Sequence, residues 1–221
     1  MAQALKRHFP EAVVGMLIRQ YTAEMVEGNS AVDQILYYDD GSRPLPFFTL
    51  VAALRTGDFD IVFHTHPRFR LALVTWIARI PLRIGTGYRW YSFLFNRKMF
   101  EHRKYARRHE LEYNLSLLKV VDCPVDDADV LPRVSIPESA PPSVKKILSS
   151  HGITDLEKIV IIHPGSGGSA RDWAVANFGL FARRLAAFPG VRVIVTGGKN
   201  EENLVSEVQT AGGPQIVTIV G

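Results

Sequence analysis

The 221-residue chain is 47% hydrophobic and 22% charged, a mixture that excludes a disordered tail, a collagen-like repeat and a disulfide-stapled miniprotein and leaves one large or two small globular domains. Its single cysteine, Cys123, excludes an internal disulfide or a cysteine-rich metal site and is expected as a small buried or loop thiol in a reducing cytosol. The net charge of +4 is unevenly placed, because residues 79–108 carry nine Arg or Lys against one acid, Glu101, and this segment should meet something anionic if any segment does.

Residues 2–8 read as a short amphipathic helix ending at Phe9-Pro10, and residues 12–18 as a continuous apolar run of strand length. A helix over 21–28 leads to a second strand, 32–38, bounded by the turn cluster Asp39-Asp40-Gly41-Ser42. Residues 47–56 have helical spacing and stop at Gly57-Asp58; a third strand, 59–63, ends at His64-Thr65-His66-Pro67. A helix over 68–79, a short strand at 82–85 and a longer basic-fronted helix over 105–120 complete the first half. Buried strands alternating with helices require a mainly parallel sheet covered on both faces.

The rhythm breaks at 122–142, which holds Pro124, Pro132, Pro137, Pro141 and Pro142 with the acids Asp126, Asp127 and Asp129, and reads as a linker between a first lobe, 1–121, and the start of a second, 143–221. The second lobe begins with a helix over 143–150, then the strand 159–162, a helix over 176–188, the strand 191–195 and a last strand within 216–221. It is smaller than the roughly 100–150 residues common for a domain, and the chain opens in a helix without its preceding strand, so either the second lobe is unusually small or the sequence is truncated at both ends.

No uncharged apolar run approaches the roughly 18–20 residues of a spanning helix. The longest, residues 71–78, is flanked by Arg70 and Arg79, and the N-terminus lacks the pattern of a signal peptide.

The chemistry concentrates after strand 159–162, in His163-Pro164-Gly165-Ser166-Gly167-Gly168-Ser169-Ala170-Arg171-Asp172-Trp173. Glycines let backbone N–H groups approach an anion, serines add hydroxyl donors, and the following helix brings its positive N-terminal dipole. The loop is neither a Walker loop nor a Gly-x-Gly-x-x-Gly fingerprint. A second strand-to-loop segment, Val195-Thr196-Gly197-Gly198-Lys199-Asn200-Glu201, repeats the arrangement, and Glu201 could accept from ribose hydroxyls or simply compensate a helix dipole. In an open parallel sheet both loops lie at the carboxyl ends of the strands, where ligands bind.

His163-Pro164-Gly165-Ser166-Gly167 through Arg171-x-Trp173, Asn177-Phe178, Val195-Thr196-Gly197-Gly198 and Glu201 together resemble glycosyltransferase family 9, the heptosyltransferases of lipopolysaccharide core assembly. Ala4-Leu5-Lys6-x-x-Phe9-Pro10, Phe59-Asp60-Ile61-Val62, Arg70, Arg83-Ile84-Gly85 and His109-x-x-x-Tyr113 fit the same pattern in the first lobe. The resemblance implies an α/β fold of GT-B type, with two Rossmann-like lobes, the acceptor on the first and an ADP-sugar donor on the second. It implies an inverting transfer of a heptose or related sugar to a lipopolysaccharide-core or lipid A type acceptor, with no cofactor and no metal. By this resemblance Ser166, Gly167 and Arg171 map onto the diphosphate and nucleotide side and Gly197, Gly198 and Glu201 onto the nucleotide pocket, with Thr196 also expected to bind substrate. Asp172 and Ala174 stand where the family often has a basic residue or Pro.

The family's catalytic Asp would precede Met1 and its Asp-x-Gly-x-x-His stretch would follow Gly221, so no catalytic residue is assigned within the chain.

His64 and His66, at a strand's carboxyl end, are expected as strand-end or acceptor-cleft lining rather than metal ligands, and Asp60 as structural. Arg97-Lys98, Arg103-Lys104 and Arg107-Arg108, interleaved with Tyr91, Phe93, Phe95, Phe100 and Tyr105, read either as a solvated face over core aromatics or as a grip on an anionic lipid surface. The resulting expectation is a cytoplasmic enzyme, peripheral on the inner face of the inner membrane, with no nucleic-acid partner. The alternatives are a non-catalytic nucleotide- or anionic-lipid-binding module and another GT-B enzyme such as a sugar-nucleotide epimerase.

Overall fold

The computed structural model describes residues 1–105, 107–131, 134, 136, 138–154, 157–168 and 170–221. Pro132, Pro137 and Ser169 lie outside them. The chain divides into two units, Met1–Pro137 and Glu138–Gly221.

In the first unit the helix α1 (Ala2–His8) leads to β1 (Gly15–Ile18), which pairs in parallel with β2 (Gln34–Tyr37). Between them lies a 3-10 helix, Gln20–Met25, where a helix over 21–28 is expected from sequence. Lys6 joins α1 to the chain before β1: its ammonium donates to the Ala12 carbonyl at 2.7 Å and pairs with Asp33 at 2.7 Å. The helix α2 (Phe47–Thr56) buries Leu50, Val51 and Leu54 along one stripe and stops at Gly57, after which Asp58 takes a left-handed φ of 46°. The strand β3 (Ile61–Phe63), the helix α3 (Phe69–Ile77) and the strand β4 (Leu82–Thr86) follow, and β3 pairs in parallel with β4.

Alternation along β3 explains how this sheet is covered. Val62 packs with Leu50, Leu54 and Val74 of α2 and α3, whereas Phe63 faces Ala4, Leu115, Leu118 and Cys123. Cys123 is buried there, its thiol donating to the Ala4 carbonyl at 3.5 Å, and burial pushes that thiol upward in pKa.

Two further features differ from the sequence expectation. A further strand, β5 (Arg97–Met99), extends the sheet in the order β3-β4-β5, and the helix expected over 105–120 is reduced to α4 (Glu110–Leu115), continued by a 3-10 helix, Ser116–Val121. The cause of the late start is a capping box. The ring of His109 accepts the Leu111 amide at 3.2 Å, and Glu112 accepts the His109 amide at 2.8 Å, so the helix cannot begin earlier without losing both. Within the Pro-rich stretch, a 3-10 helix at Asp127–Val130 carries Asp129, whose buried carboxylate receives Arg7 at 2.6 Å.

In the second unit Pro141 and Pro142 stand in the first turn of α5 (Ala140–Ser150). The strands β6 (Lys158–Ile162), β7 (Val191–Gly197) and β8 (Val217–Val220) form a parallel sheet in that order, joined by α6 (Val175–Ala186) and α7 (Glu202–Gly212). Val193 and Val195 of β7 and Ile162 of β6 pack with Ala182 of α6 and Val205 and Val208 of α7, so both helices cover one face. α6 and α7 meet at glycines: a Cβ on Gly179 would stand 2.4 Å from the Ala211 Cβ. Among the described residues every strand pair is parallel, as α/β alternation requires.

Candidate functional site

The site expected from sequence lies at the carboxyl ends of β6 and β7. His163 is the first residue after β6, and its ring joins the two loops. Nδ1 lies 3.1 Å from the Thr196 hydroxyl in β7, and Nε2 lies 3.6 Å from the carboxylate of Glu201. The other end of that contact is fixed as well, since Glu201 accepts the Gly198 amide at 2.9 Å. A carboxylate so held keeps one oxygen available to a hydroxyl-bearing ligand while losing little rotamer freedom.

Glycine is required beside it. A Cβ on Gly165 would lie 1.9 Å from Oε1 of Glu201, so any side chain there evicts the carboxylate. Beyond it, Gly167 and Gly168 adopt φ of 57° and 80°, with open space around both, which leaves a backbone turn that an anion can approach. Ser166 stabilises this turn, accepting the Gly168 amide at 3.2 Å and donating to the Ala170 carbonyl at 3.2 Å.

The structure therefore brings Thr196, Gly198 and Glu201 together through His163, and holds Ser166 and Gly167 in one turn. Gly197 faces inward: its Cβ would stand 2.6 Å from Val205, so its small size serves the approach of α7. Arg171 is exposed before α6. Beside it Trp173 packs edge-on against Phe178 at 5.2 Å, fixing the entry of the loop into α6. Sequence reasoning passed over His163 and Gly165 as individual contributors, although both stand in the quoted motif. The available signal was position, since the residue directly after a parallel strand lies at the ligand-binding edge.

The first unit offers less free chemistry. His64 follows β3 directly, at the strand end as expected, and is buried: Nε2 lies 3.1 Å from the Thr75 hydroxyl, which also lies 3.0 Å from the Ala72 carbonyl. Burial, and secondarily the charge of Arg83, pushes this imidazole down to about 4. His66 is exposed, and among the described residues no three His, Cys, Asp or Glu side chains form a metal-binding group. Asp60, Asp58, Arg55 and Arg79 line a cavity of about 460 Å³ at the amino ends of β3 and β4, opposite the ligand-binding edge. Of the basic, aromatic stretch, Tyr91 and Phe95 belong to the core, and Arg83 is held by the Leu94 carbonyl at 2.9 Å.

Comparison with known proteins agrees with this architecture. The model of glycosyltransferase family 9 (heptosyltransferase) matches residues 47–221. Lipopolysaccharide heptosyltransferase 3 of Escherichia coli is 22% identical over 227 aligned residues, covering 99% of this chain and 65% of that protein. A family 9 glycosyl transferase from Veillonella parvula superposes with a TM-score of 0.84 at 20% identity, over 100% of this chain and 63% of that one. The E. coli ADP-heptose lipopolysaccharide heptosyltransferase II superposes with a TM-score of 0.72 at 18% identity, over 100% of this chain and 67% of that one. The chain thus spans under two thirds of the curated relatives it matches, 63% of a Haemophilus influenzae protein and 65% of the E. coli one. No helix among the described residues is long and apolar enough to cross a membrane. With an α/β fold of parallel sheets and a family match over most of its length, the chain belongs to glycosyltransferase family 9.

Proposed function

We propose that the chain is part of an inverting glycosyltransferase that moves a heptose, or a related sugar, from an ADP-sugar to the lipopolysaccharide inner core at the cytoplasmic face of the inner membrane. The observation that carries the reading is the joining of two glycine-bearing loops through His163, Thr196 and Glu201 at the carboxyl ends of adjacent parallel strands. In this reading the 138–221 unit holds the donor and the 1–137 unit the acceptor. The backbone of Gly167, the Ser166 hydroxyl and Arg171 receive the diphosphate, supported by the N-terminus of α6. Thr196, Gly197 and Gly198 floor the nucleotide pocket, and Glu201 accepts from the ribose hydroxyls.

The transfer forms a bond from the acceptor oxygen to the anomeric carbon on the face opposite the leaving group. The anomeric carbon–oxygen bond to the diphosphate breaks, and its electron pair leaves with ADP. The acceptor's hydroxyl proton passes to a carboxylate base, to which no residue of this chain is assigned. Groups that bind the departing diphosphate act where negative charge develops, so their contribution grows toward the transition state. Calorimetric titration with the ADP-sugar tests the assignment. Arg171→Ala and Ser166→Ala are each expected to lose about 1–3 kcal/mol, the cost of a charged or hydroxyl hydrogen bond. Unchanged affinity in both variants, or no affinity in the parent chain, removes the reading.

A further inference from the structure

The motif His109-x-x-x-Tyr113 lies outside the site at β6 and β7, and each of its ends has a task in the first unit. The exposed ring of His109 closes the N-terminus of α4: Nδ1 accepts the Leu111 amide at 3.2 Å, while Glu112 accepts the His109 amide at 2.8 Å. A backbone amide only donates, so Nδ1 presents its lone pair and the proton of the neutral ring sits on Nε2. Four residues on, Tyr113 is buried, and its ring meets two guanidinium groups, Arg108 at 4.7 Å and Arg103 at 5.6 Å.

Arg103 is the hub of this corner. It pairs with Glu110, donates to the Asn114 side chain at 3.1 Å and to the Tyr113 carbonyl at 3.4 Å, and reaches the Thr65 carbonyl at 3.1 Å in the loop after β3. Glu110, Tyr113 and Asn114 all belong to α4, so the helix that His109 caps also holds the arginine that ties down the β3 loop.

We propose that His109 is a pH-sensitive cap: protonation of its ring opens the first turn of α4 and releases Arg103 from the loop after β3. A protonated Nδ1 is a donor facing a donor, so the Leu111 amide loses its acceptor. The new ring charge also stands at the positive end of the helix. If the ring turns to Glu112 instead, that carboxylate leaves the His109 amide, and the reciprocal pair opens by either route. The other charged groups of this corner are engaged elsewhere, Glu110 with Arg103 and Glu101 with Arg108 at 2.7 Å, while the Arg107 guanidinium lies 5.6 Å from the Tyr105 ring. His102, the neighbouring histidine in sequence, stacks on Tyr88 at 4.4 Å with its Nε2 2.9 Å from the Tyr88 hydroxyl. The inference rests on the function proposed above only in making this the edge that receives the acceptor.

Amide hydrogen exchange in the whole chain tests it, at about pH 7.5 and about pH 5.5, a range over which histidine changes charge. Each rate is corrected for intrinsic exchange and taken relative to the amides of β4, which removes any pH effect shared by the whole unit. The opening equilibrium at Leu111 is expected to rise about fivefold on acidification, the scale of a lost N-cap, and the Arg103 guanidinium protons should lose protection with it. His109→Asn keeps a cap acceptor at both pH values and should show no rise, whereas His109→Ala should be open at both. Ring nitrogen shifts of the parent chain give a second reading that needs no variant: Nδ1 should be unprotonated at the higher pH and titrate together with the Leu111 amide. No nucleotide is present in either measurement, so a failed cap is distinguishable from a failed donor site. A pH-independent Leu111 ratio, an equal rise in His109→Asn, a protonated Nδ1 at the higher pH, or Arg103 protons that stay protected while the turn opens overturns the proposal.

Discussion

Acidification should destabilise the first unit through His64 well before its carboxylates respond. The imidazole is sealed between β3 and α3, its ring 4.8 Å from that of Phe95 and its Nε2 3.1 Å from the Thr75 hydroxyl. Burial lowers its pKa from 6.5 to about 4 in the folded state. The unfolded chain therefore takes up a proton near its ordinary value and the native chain only near the lower one. Between the two the unfolded state binds more protons, so the contribution is complete above about 6.5 and is lost progressively as the pH falls toward about 4. Integrating between about pH 7 and about pH 5 gives a loss of about 2 kcal/mol. Asp33, Asp39 and Asp129 are held below the ordinary carboxylate range, chiefly by hydrogen bonds to Lys6, the Gln20 amide and Arg7 respectively. Their stabilisation is lost only as the pH falls below about 4, which leaves the window to the histidine.

His64→Phe keeps a ring against Phe95 and leaves the Thr75 hydroxyl on Ala72. Urea unfolding at the two pH values, followed in a Trp173→Phe background that retains Trp76 and Trp90 in the first unit, should show the pH-dependent loss shrinking to below about 0.5 kcal/mol in this variant. Equal losses in parent and variant would refute the argument.

Two further substitutions probe the second unit. Gly165→Ala places a methyl group 1.9 Å from the Glu201 carboxylate, which can swing aside at little cost to the fold but then loses the Gly198 amide and His163. ADP affinity should fall about tenfold, near 1.4 kcal/mol, with little change in Tm; calorimetry showing parental affinity would separate Glu201 from the nucleotide. Gly179→Ala meets the Ala211 Cβ at 2.4 Å and main-chain atoms at 3.0 Å, which cannot yield without moving α6 from α7. A loss of about 1–3 kcal/mol is expected in urea unfolding followed by Trp173 fluorescence, and an unchanged midpoint would mean that the two helices separate freely.

Much of the architecture was legible because its signals are local. α2 has its helical spacing and stops where Gly57-Asp58 says it should, and the apolar runs at β6 and β7 do lie in a parallel sheet, but α6 and α7 cover only one face of it and Ile159 and Ile161 of β6 stand exposed, where covering on both faces is expected from sequence. The two loops at the ends of those strands were visible for the same reason, since a glycine cluster after a buried strand is a short-range pattern. β5 was not legible: Arg97-Lys98-Met99 has no apolar run, and it becomes a strand only because the edge of β4 offers Ile84, Gly85 and Thr86 as partners. The same dependence on distant residues decided which cations of 79–108 are free, because Arg103 and Arg108 find carboxylates that charge counting could not pair with them. What the sequence determined by itself was the α/β alternation and the chemistry of its loops, both written in neighbouring residues. Only the tertiary structure decided that His64 is sealed, that Tyr91 and Phe95 are core while Trp90 and Phe100 are not, and that His163 meets Thr196 from 33 positions away, because burial and side-chain pairing are set by segments far apart in the chain.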